Sequence, residues 1–327
     1  MSTPPGTAAP PPPAGATARD RAGPGDRGRP PDRGGPPDRA RPRDRARPTF
    51  VYLLVVVVGV AAFVYPFWLP RDALPSEAHA GDAPLVAALV GALAVGAMAL
   101  EVRRGTMNGA TIALLGVLSA TAGLLRLFDL PGGGSGIFFL VVLAGAAFGP
   151  RFGLLLGLAS MATSAVVTGG IGPWLPFQML ALAWMAAGAG LLGRLSGRLP
   201  ARAEVAVLAA YAWAWGFVYG ALLNLWFWPF VRDGGPLSWS PGMGPTETLH
   251  RYWSFYVTTS FAWDAAGAVA NAVLVALTGR AVLRTLRRFS VRLDPVVEVG
   301  EVSPGDRCAM KEGAWTPPPT LRGASRA

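Results

Sequence analysis

Residues 50–69 read FVYLLVVVVGVAAFVYPFWL, a run without a single charged side chain. A helix needs about 20 apolar residues to cross a hydrocarbon core roughly 30 Å thick. Outward from this run, similar stretches predict helices at about residues 49–69, 84–102, 107–127, 136–149, 152–168, 174–195, 203–229 and 250–286. The pattern therefore predicts an all-α integral membrane protein with about eight transmembrane helices.

The composition supports a membrane protein over a soluble domain. Hydrophobic residues make up 52% of the chain and charged residues only 15%, whereas about a quarter of a soluble domain is charged. The net charge of +10 comes mainly from arginines in the tails and in short loops, where they would face anionic lipid headgroups. We therefore expect these positively charged residues to contact the lipid bilayer, and we expect no nucleic acid partner.

Two polar tails flank the apolar region. Residues 1–48 consist largely of Pro, Gly, Ala, Arg and Asp, and residues 290–327 are also polar. Such segments have too little apolar surface to offset the loss of chain entropy on folding. Both tails are predicted to be disordered.

Arginines mark every second helix boundary, which predicts the topology. They are Arg103, Arg104, Arg151, Arg194, Arg198, Arg202, Arg280, Arg284, Arg287, Arg288 and Arg292. Because positive charge is retained on the cytoplasmic side, both termini are predicted to be cytoplasmic in a multi-pass protein of the bacterial plasma membrane. The first span, followed by Ala78-His79-Ala80, also has features of a cleaved secretory signal, although its apolar run is longer than a signal core.

The stretch from residue 136 to 168 is too short for two full spans. Unpaired backbone cannot face lipid. We therefore expect either two abutting short helices or one broken hairpin, buried by neighbouring helices.

The predicted outer loops are rich in Gly, Pro and Trp and are followed by polar side chains. These loops can roof a pocket that opens outward, although an interfacial aromatic belt also explains single tryptophans. In the last helix, Trp253, Ser260, Asp264 and Asn271 follow helical spacing and therefore share one face. The intramembrane acid Asp264 is either functional or a structural link. The candidate substrate-binding residues are Trp174, Phe177, Gln178, Asn224, Trp228, Trp253, Tyr256, Ser260, Asp264 and Asn271.

The third predicted helix carries small residues along one face. Gly109, Ala113, Gly116, Ala120 and Gly123 recur at steps of four and three. Small faces allow close approach of another helix in a membrane. That helix belongs either to the same chain or to another protein.

Several sequence strings resemble one transporter family. They are FGPRFG at 148–153, TGGIGPWLPFQ at 168–178, YGALLNLWFWP at 219–229, and TSFAWD at 259–264 followed by Asn271. With them, residues 107–289 resemble the substrate-binding S component of energy-coupling factor (ECF) transporters, particularly its actinobacterial-type branch. The resemblance implies a six-helix core at 107–289, preceded by an additional transmembrane helix pair at 49–106.

The resemblance also implies a function and partners. An S component captures a vitamin from outside and works with a transmembrane T component and two cytosolic ATPase subunits. The T-component contact would map onto Gly109, Ala113, Gly116 and Ala120. The tryptophan-rich outer face suggests cobalamin as the substrate, with thiamine-like or flavin-like rings as alternatives.

The residues themselves argue against an enzyme. Lys311 is the only lysine and no phosphate-binding loop motif is present, so an ATP-driven motor would be another chain. The single cysteine, Cys308, provides no thiolate metal site, and we expect no metal, no cofactor and no catalytic residue. The alternatives are an ion-coupled secondary transporter that uses Asp264 and a membrane enzyme.

Overall fold

The computed structural model describes residues 42–70, 74, 78–130, 134–232 and 235–293. Within these ranges the α-helices are α1 (Pro42–Val64), α2 (Ala83–Arg103), α3 (Gly109–Leu125), α4 (Ile137–Phe148), α5 (Pro150–Thr168), α6 (Leu175–Ser196), α7 (Ala201–Phe227), α8 (Pro245–Thr259) and α9 (Phe261–Leu293). Short 3-10 turns follow α1, at Tyr65–Trp68, and α7, at Trp228–Phe230. A two-residue antiparallel pair, Asp129–Leu130 with Gly134–Ser135, is the sheet structure of the described ranges.

Six of these helices are long and apolar enough to cross a membrane, namely α1, α2, α5, α6, α7 and α9. The helices α3 and α4 are apolar but shorter. The eight predicted apolar stretches all form helices, so the prediction of an all-α membrane protein is confirmed. One predicted helix is not continuous: the stretch 250–286 is divided at Ser260 into α8 and α9.

The first and last residues of the helical region also differ from the prediction. Residues 42–48, predicted as part of a disordered tail, form the first turns of α1, and α9 continues to Leu293. The remainder of both predicted tails, residues 1–41 and 294–327, lies outside the described residues.

The centre of the bundle is built from α4, α5 and α6. A Cβ added to Gly145 or Gly153 would overlap the backbone of Ala186 in α6, and one at Gly157 would overlap that of Ala183. These contacts are the close helix approaches that small residues permit in membrane proteins. They surround the short helix α4, in which Val141, Val142 and Leu143 are fully buried.

The break between α4 and α5 is a single residue, Gly149. Its φ of 91° is in the region that residues with a side chain rarely adopt. Pro150 occupies the first position of α5. A backbone N–H at this position would have no partner within the helix, so the N–H that proline lacks is not missed. Over residues 136–168 the structure thus has two abutting helices, as one of the two expectations stated, but only α4 is short, because α5 is long enough to cross a membrane.

The N-terminal pair α1 and α2 packs against α5 and α6. Val55 and Val90 lie in one buried cluster with Leu154 and Leu180. At one end of the pair, the buried carboxylate of Glu101 accepts hydrogen bonds from Tyr52 Oη (3.0 Å) and Arg151 Nη1 (3.3 Å). The pair is therefore attached to the core by apolar packing and by this polar link.

Successive apolar helices alternate in direction, which gives the bundle two distinct ends. We call one the aromatic end, formed by residues 65–70, 78–82, 169–174, 228–232 and 235–244. The other is the arginine end, formed by residues 103–108, 149–151, 196–202 and 280–289. The sequence predicts that the aromatic end is the outer one.

The small-residue face of α3 is open to the surroundings. Gly109, Ala113, Gly116 and Ala120 are exposed, and no neighbouring atom lies within 4 Å of a Cβ built at Gly109 or Gly116. Only the last member of the predicted stripe, Gly123, packs in the bundle, against Thr163 and Ser164 of α5. Of the two expectations for this face, packing within the same chain therefore does not apply to its first four residues in the described structure.

Candidate functional site

An aromatic cluster fills the region where α7 ends. Trp228, which is fully buried, donates from Nε1 to the carbonyl of Leu237 at 2.7 Å. Phe67, from the turn after α1, meets the Trp239 ring edge-on at a centroid distance of 5.3 Å. Tyr252 of α8 meets Trp228 at 5.2 Å. The cluster thus joins the N-terminal pair to the last helices of the core.

A cavity of about 470 Å³ opens beside this cluster. Its walls include Phe67, Trp228, Trp239, Tyr252, Met243 and Thr248. Small-molecule sites are concave, mostly apolar and about 300–1,000 Å³ in volume, with a few polar groups that fix orientation. The volume and the aromatic walls suit a small ligand with a ring system. Thr248 provides a hydroxyl group to the walls, whereas the Tyr252 hydroxyl donates to the Ala221 carbonyl.

A buried histidine fixes the loop that precedes α2. His79 is fully buried, with Nδ1 at 2.7 Å from Asp82 Oδ2 and Nε2 at 3.2 Å from the Trp226 carbonyl. Its ring stacks on Trp226 at 5.6 Å and contacts Phe177 at 4.5 Å. A carboxylate and a carbonyl only accept hydrogen bonds, so a ring nitrogen of His79 that carries a proton is the donor in each of these contacts.

Asp82 is well suited to this contact. Burial opposes its ionisation, but hydrogen bonds from His79 and Tyr65 hold the pKa of the Asp82 carboxyl below its ordinary value. The carboxylate therefore remains an acceptor at neutral pH. Because Tyr65 belongs to the same turn as Phe67, this network also positions one wall of the cavity.

A second link ties the segment between α1 and α2 to the core. Arg232, which follows α7, donates from Nη2 to the carbonyl of Leu74 at 2.9 Å. Together with His79, this contact holds the connection between α1 and α2 against the end of α7. The N-terminal pair is therefore an integral part of the aromatic end.

A polar cluster lies between α7 and α9. Asn224 accepts from Ser260 Oγ at 3.0 Å and donates to the Gly220 carbonyl at 2.8 Å. The Asp264 carboxylate occupies the space above Gly220, where a Cβ would overlap it, and it interacts with the Tyr256 hydroxyl. The hydrogen bond from Ser260 to Asn224 connects α7 to the start of α9 within the chain, whereas Asp264 Oδ2 is buried without a hydrogen-bond partner among the described residues.

The structure does not bring all of the sequence-predicted site residues together. Asn224, Tyr256, Ser260 and Asp264 come together in the polar cluster, with Asn271 buried about two turns further along α9. Trp228 and Phe177 belong to the aromatic end, where Trp228 lines the cavity and Phe177 contacts His79. Gln178 is half-buried in the first turn of α6. By contrast, Trp174 and Trp253 are 41% and 57% exposed.

The predicted stripe on the last helix is not continuous. Trp253 precedes the division at Ser260 and is largely exposed, whereas Asp264 and Asn271 follow it on α9. The expectation that Trp253 shares one helical face with these residues is therefore wrong. A group of three or more His, Cys, Asp or Glu that could hold a metal is absent from the described ranges.

The sequence does not predict that the N-terminal pair contributes side chains to the aromatic end. Tyr65, Phe67 and His79 all contact the aromatic end, yet the run Ala78-His79-Ala80 was interpreted only as a possible cleavage site. The usable signal was a lone histidine in an outer loop of a chain that contains two histidines. Its partner Trp226 is 147 residues away, so sequence spacing does not reveal the pairing.

Comparison with known proteins identifies a family for the core. The family model described as ECF transporter, substrate-specific component, matches residues 110–278, slightly more than half of the chain. The match extends from α3 into α9 and does not include α1 and α2. No curated protein and no solved structure matches the chain.

Proposed function

Because the chain belongs to the substrate-specific components of ECF transporters, we propose that it captures a vitamin-like micronutrient in the aromatic-end cavity for ATP-driven uptake. It is a multi-pass membrane protein. The arginine pattern supports an orientation with both termini in the cytoplasm, which turns the aromatic end outward. The observation that carries this proposal is the cavity of about 470 Å³ with its aromatic walls.

The size of the cavity favours some vitamins over others. Its volume of about 470 Å³ lies in the lower half of the range for small-molecule sites. A vitamin with a single or fused aromatic ring, such as a thiamine-like or flavin-like molecule, fits this volume better than the much larger corrinoid macrocycle of cobalamin. Phe67 and Tyr252, which are half-buried, would contact the ring, with Trp239 behind them, and Thr248 would hydrogen-bond a polar substituent.

The partners follow from the family. We propose that a T component docks on the exposed face of α3 formed by Gly109, Ala113, Gly116 and Ala120, and that two ATPase subunits supply the energy. The absence of side-chain neighbours at Gly109 and Gly116 supports this position, since a close helix contact in a membrane needs such a surface.

The experiment that tests the function is uptake by reconstituted vesicles. We expect radiolabelled vitamin to accumulate only when the T component, the ATPase subunits and ATP are all present. The alternative, an ion-coupled secondary transporter that uses Asp264, predicts uptake by this chain alone in response to a proton gradient. Accumulation under those conditions, and no response to ATP, would reject the ECF function.

The location of the binding site is tested by a pair of tryptophan variants. Trp239→Leu removes an aromatic wall of the cavity and is expected to weaken ligand binding by roughly tenfold, as expected for the loss of an aromatic contact. Trp253→Leu is the matched control, because Trp253 is 57% exposed and does not line the cavity. Affinities of the detergent-solubilised proteins for thiamine, riboflavin and cobalamin would be measured by calorimetry; a loss confined to Trp253→Leu would place the site on α8 instead.

A further inference from the structure

The arginine end contains a second cavity that the substrate function does not use. Its volume is about 680 Å³, and it lies between the start of α7 and the end of α9. Four arginines line it, namely Arg280, Arg284, Arg287 and Arg288, over a floor that includes Val205 and Leu283. A concave site with this concentration of guanidinium groups is suited to an anion with several oxygen atoms.

Among the described residues, one acid lines this cavity, and it is already neutralised. Glu204 is 4% exposed, and its two carboxylate oxygens accept hydrogen bonds from Nη1 and Nη2 of Arg287. This bidentate pair removes the repulsion that a free carboxylate would exert on an incoming anion. Arg280, Arg284 and Arg288 are exposed and have no acidic partner within the described part of the chain, so they are available to a ligand.

Beyond the cavity, the same helix carries exposed apolar side chains. Val269, Val273 and Leu277 are 53%, 48% and 77% exposed. At 3.6 residues per turn, these side chains and the three exposed arginines fall within an arc of about 100° on α9. The distance from Arg284 to Val269 is roughly 22 Å along the axis, more than the depth of about 15 Å that one leaflet occupies. A molecule with a charged head and a long apolar tail matches this arrangement.

We propose that this surface binds one anionic phospholipid. Its phosphate lies in the cavity among Arg280, Arg284 and Arg288, and its acyl chains lie along Val269, Val273 and Leu277. A free phosphate or nucleotide shares the headgroup chemistry but makes no use of the apolar stripe, so the stripe favours the lipid. The proposal is independent of the substrate and of the partners of the transporter.

The test compares lipid binding to the full-length, detergent-solubilised protein by native mass spectrometry. Phosphatidylglycerol and phosphatidylcholine with identical acyl chains are added separately. We expect one phosphatidylglycerol to bind at least about tenfold more tightly than phosphatidylcholine, because each arginine near the headgroup favours an anionic lipid. Equal binding of the two lipids would overturn the proposal.

A charge-matched pair of variants separates a specific site from general attraction to positive charge. The variant Arg280→Gln/Arg284→Gln/Arg288→Gln is expected to lose the preference for phosphatidylglycerol, while the Glu204–Arg287 pair stays intact. The control Arg103→Gln/Arg194→Gln/Arg198→Gln removes equal charge from exposed positions of the arginine end outside the cavity and is expected to retain the preference. Equal losses in both variants would contradict a site on α9.

A third comparison distinguishes a lipid from a soluble anion. Glycerol phosphate, which has the headgroup chemistry without acyl chains, is expected to compete at least about tenfold more weakly than phosphatidylglycerol, since it leaves the apolar stripe uncovered. The variant Leu277→Asn, which keeps all arginines, is expected to weaken lipid binding but not glycerol phosphate binding. Equal competition by glycerol phosphate would identify a soluble-anion site and reject the lipid.

Discussion

Replacing Gly116 in α3 by leucine is expected to abolish ATP-driven uptake and to leave ligand binding by the isolated protein unchanged within about twofold. Gly116 is exposed, and nothing lies within 4 Å of a Cβ at this position, so the fold accommodates the larger side chain. Leucine also favours the helix by about 0.8–1 kcal/mol over glycine. The loss would therefore arise at the interface, where a bulky side chain prevents the close approach of the T component.

The control for Gly116→Leu is Gly96→Leu in α2. Gly96 is also an exposed helical glycine without neighbours within 4 Å of its Cβ, but it lies outside the region that the family model matches. We expect the Gly96→Leu protein to co-purify with the T component and to support normal uptake. If Gly116→Leu assembles and transports as well as Gly96→Leu does, the T component does not dock on this face of α3.

The helices of the core were predictable because their signals are local. Length and hydropathy mark each apolar stretch, and the run Gly149-Pro150 marks the break between α4 and α5. In a membrane, each of these segments must form hydrogen bonds between its own backbone N–H and C=O groups. This requirement explains why composition alone identified the fold class.

The division of the predicted last helix was less visible, because it has no glycine or proline at the break. Thr258 and Thr259 donate hydrogen bonds to the carbonyls of Ser254 and Phe255, each at 2.8 Å. Such bonds to the preceding turn often bend helices. Ser260 then donates a hydrogen bond to Asn224 of α7. The helical periodicity of the sequence does not predict such a tertiary contact. The run Thr-Thr-Ser was the available signal.

The candidate site was harder to predict than the fold because it depends on distant contacts. The sequence predicts Asn224, Ser260 and Asp264 as candidate binding residues, and the structure places them in one cluster. It did not associate Phe67 or His79 with Trp228 and Trp226, because the two segments are far apart in the chain, with Trp226 lying 147 residues after His79. A loop has no periodicity that would reveal the side chains that turn inward.

His79→Ala is expected to open the loop before α2 and to weaken substrate binding. The substitution removes a fully buried ring and leaves the Asp82 carboxylate and the Trp226 carbonyl without this partner. Truncating a buried ring of this size costs about 3 kcal/mol or more. Because the loop can open without unfolding the bundle, we expect the main effect to be local rather than a collapse of the thermal midpoint.

Hydrogen exchange measures this local opening. A loss of about 3 kcal/mol corresponds to amide exchange more than a hundredfold faster in residues 78–86. His250→Ala is the matched control, since His250 is exposed and should exchange as the wild type does. His79→Phe, which keeps an aromatic ring but has no hydrogen-bonding atoms, is expected to lie between the two.

The same variants connect the N-terminal pair to substrate binding. His79 and Asp82 hold Tyr65, and Tyr65 lies in the turn that carries Phe67 into the cavity wall. If the cavity wall is mobile before binding, it loses conformational entropy when the ligand orders it. This entropy loss opposes binding and lowers the affinity. We therefore expect weaker ligand binding in the order His250→Ala, His79→Phe, His79→Ala. Unchanged affinity in His79→Ala, together with rapid exchange of the loop, would show that the ligand does not use the Phe67 wall.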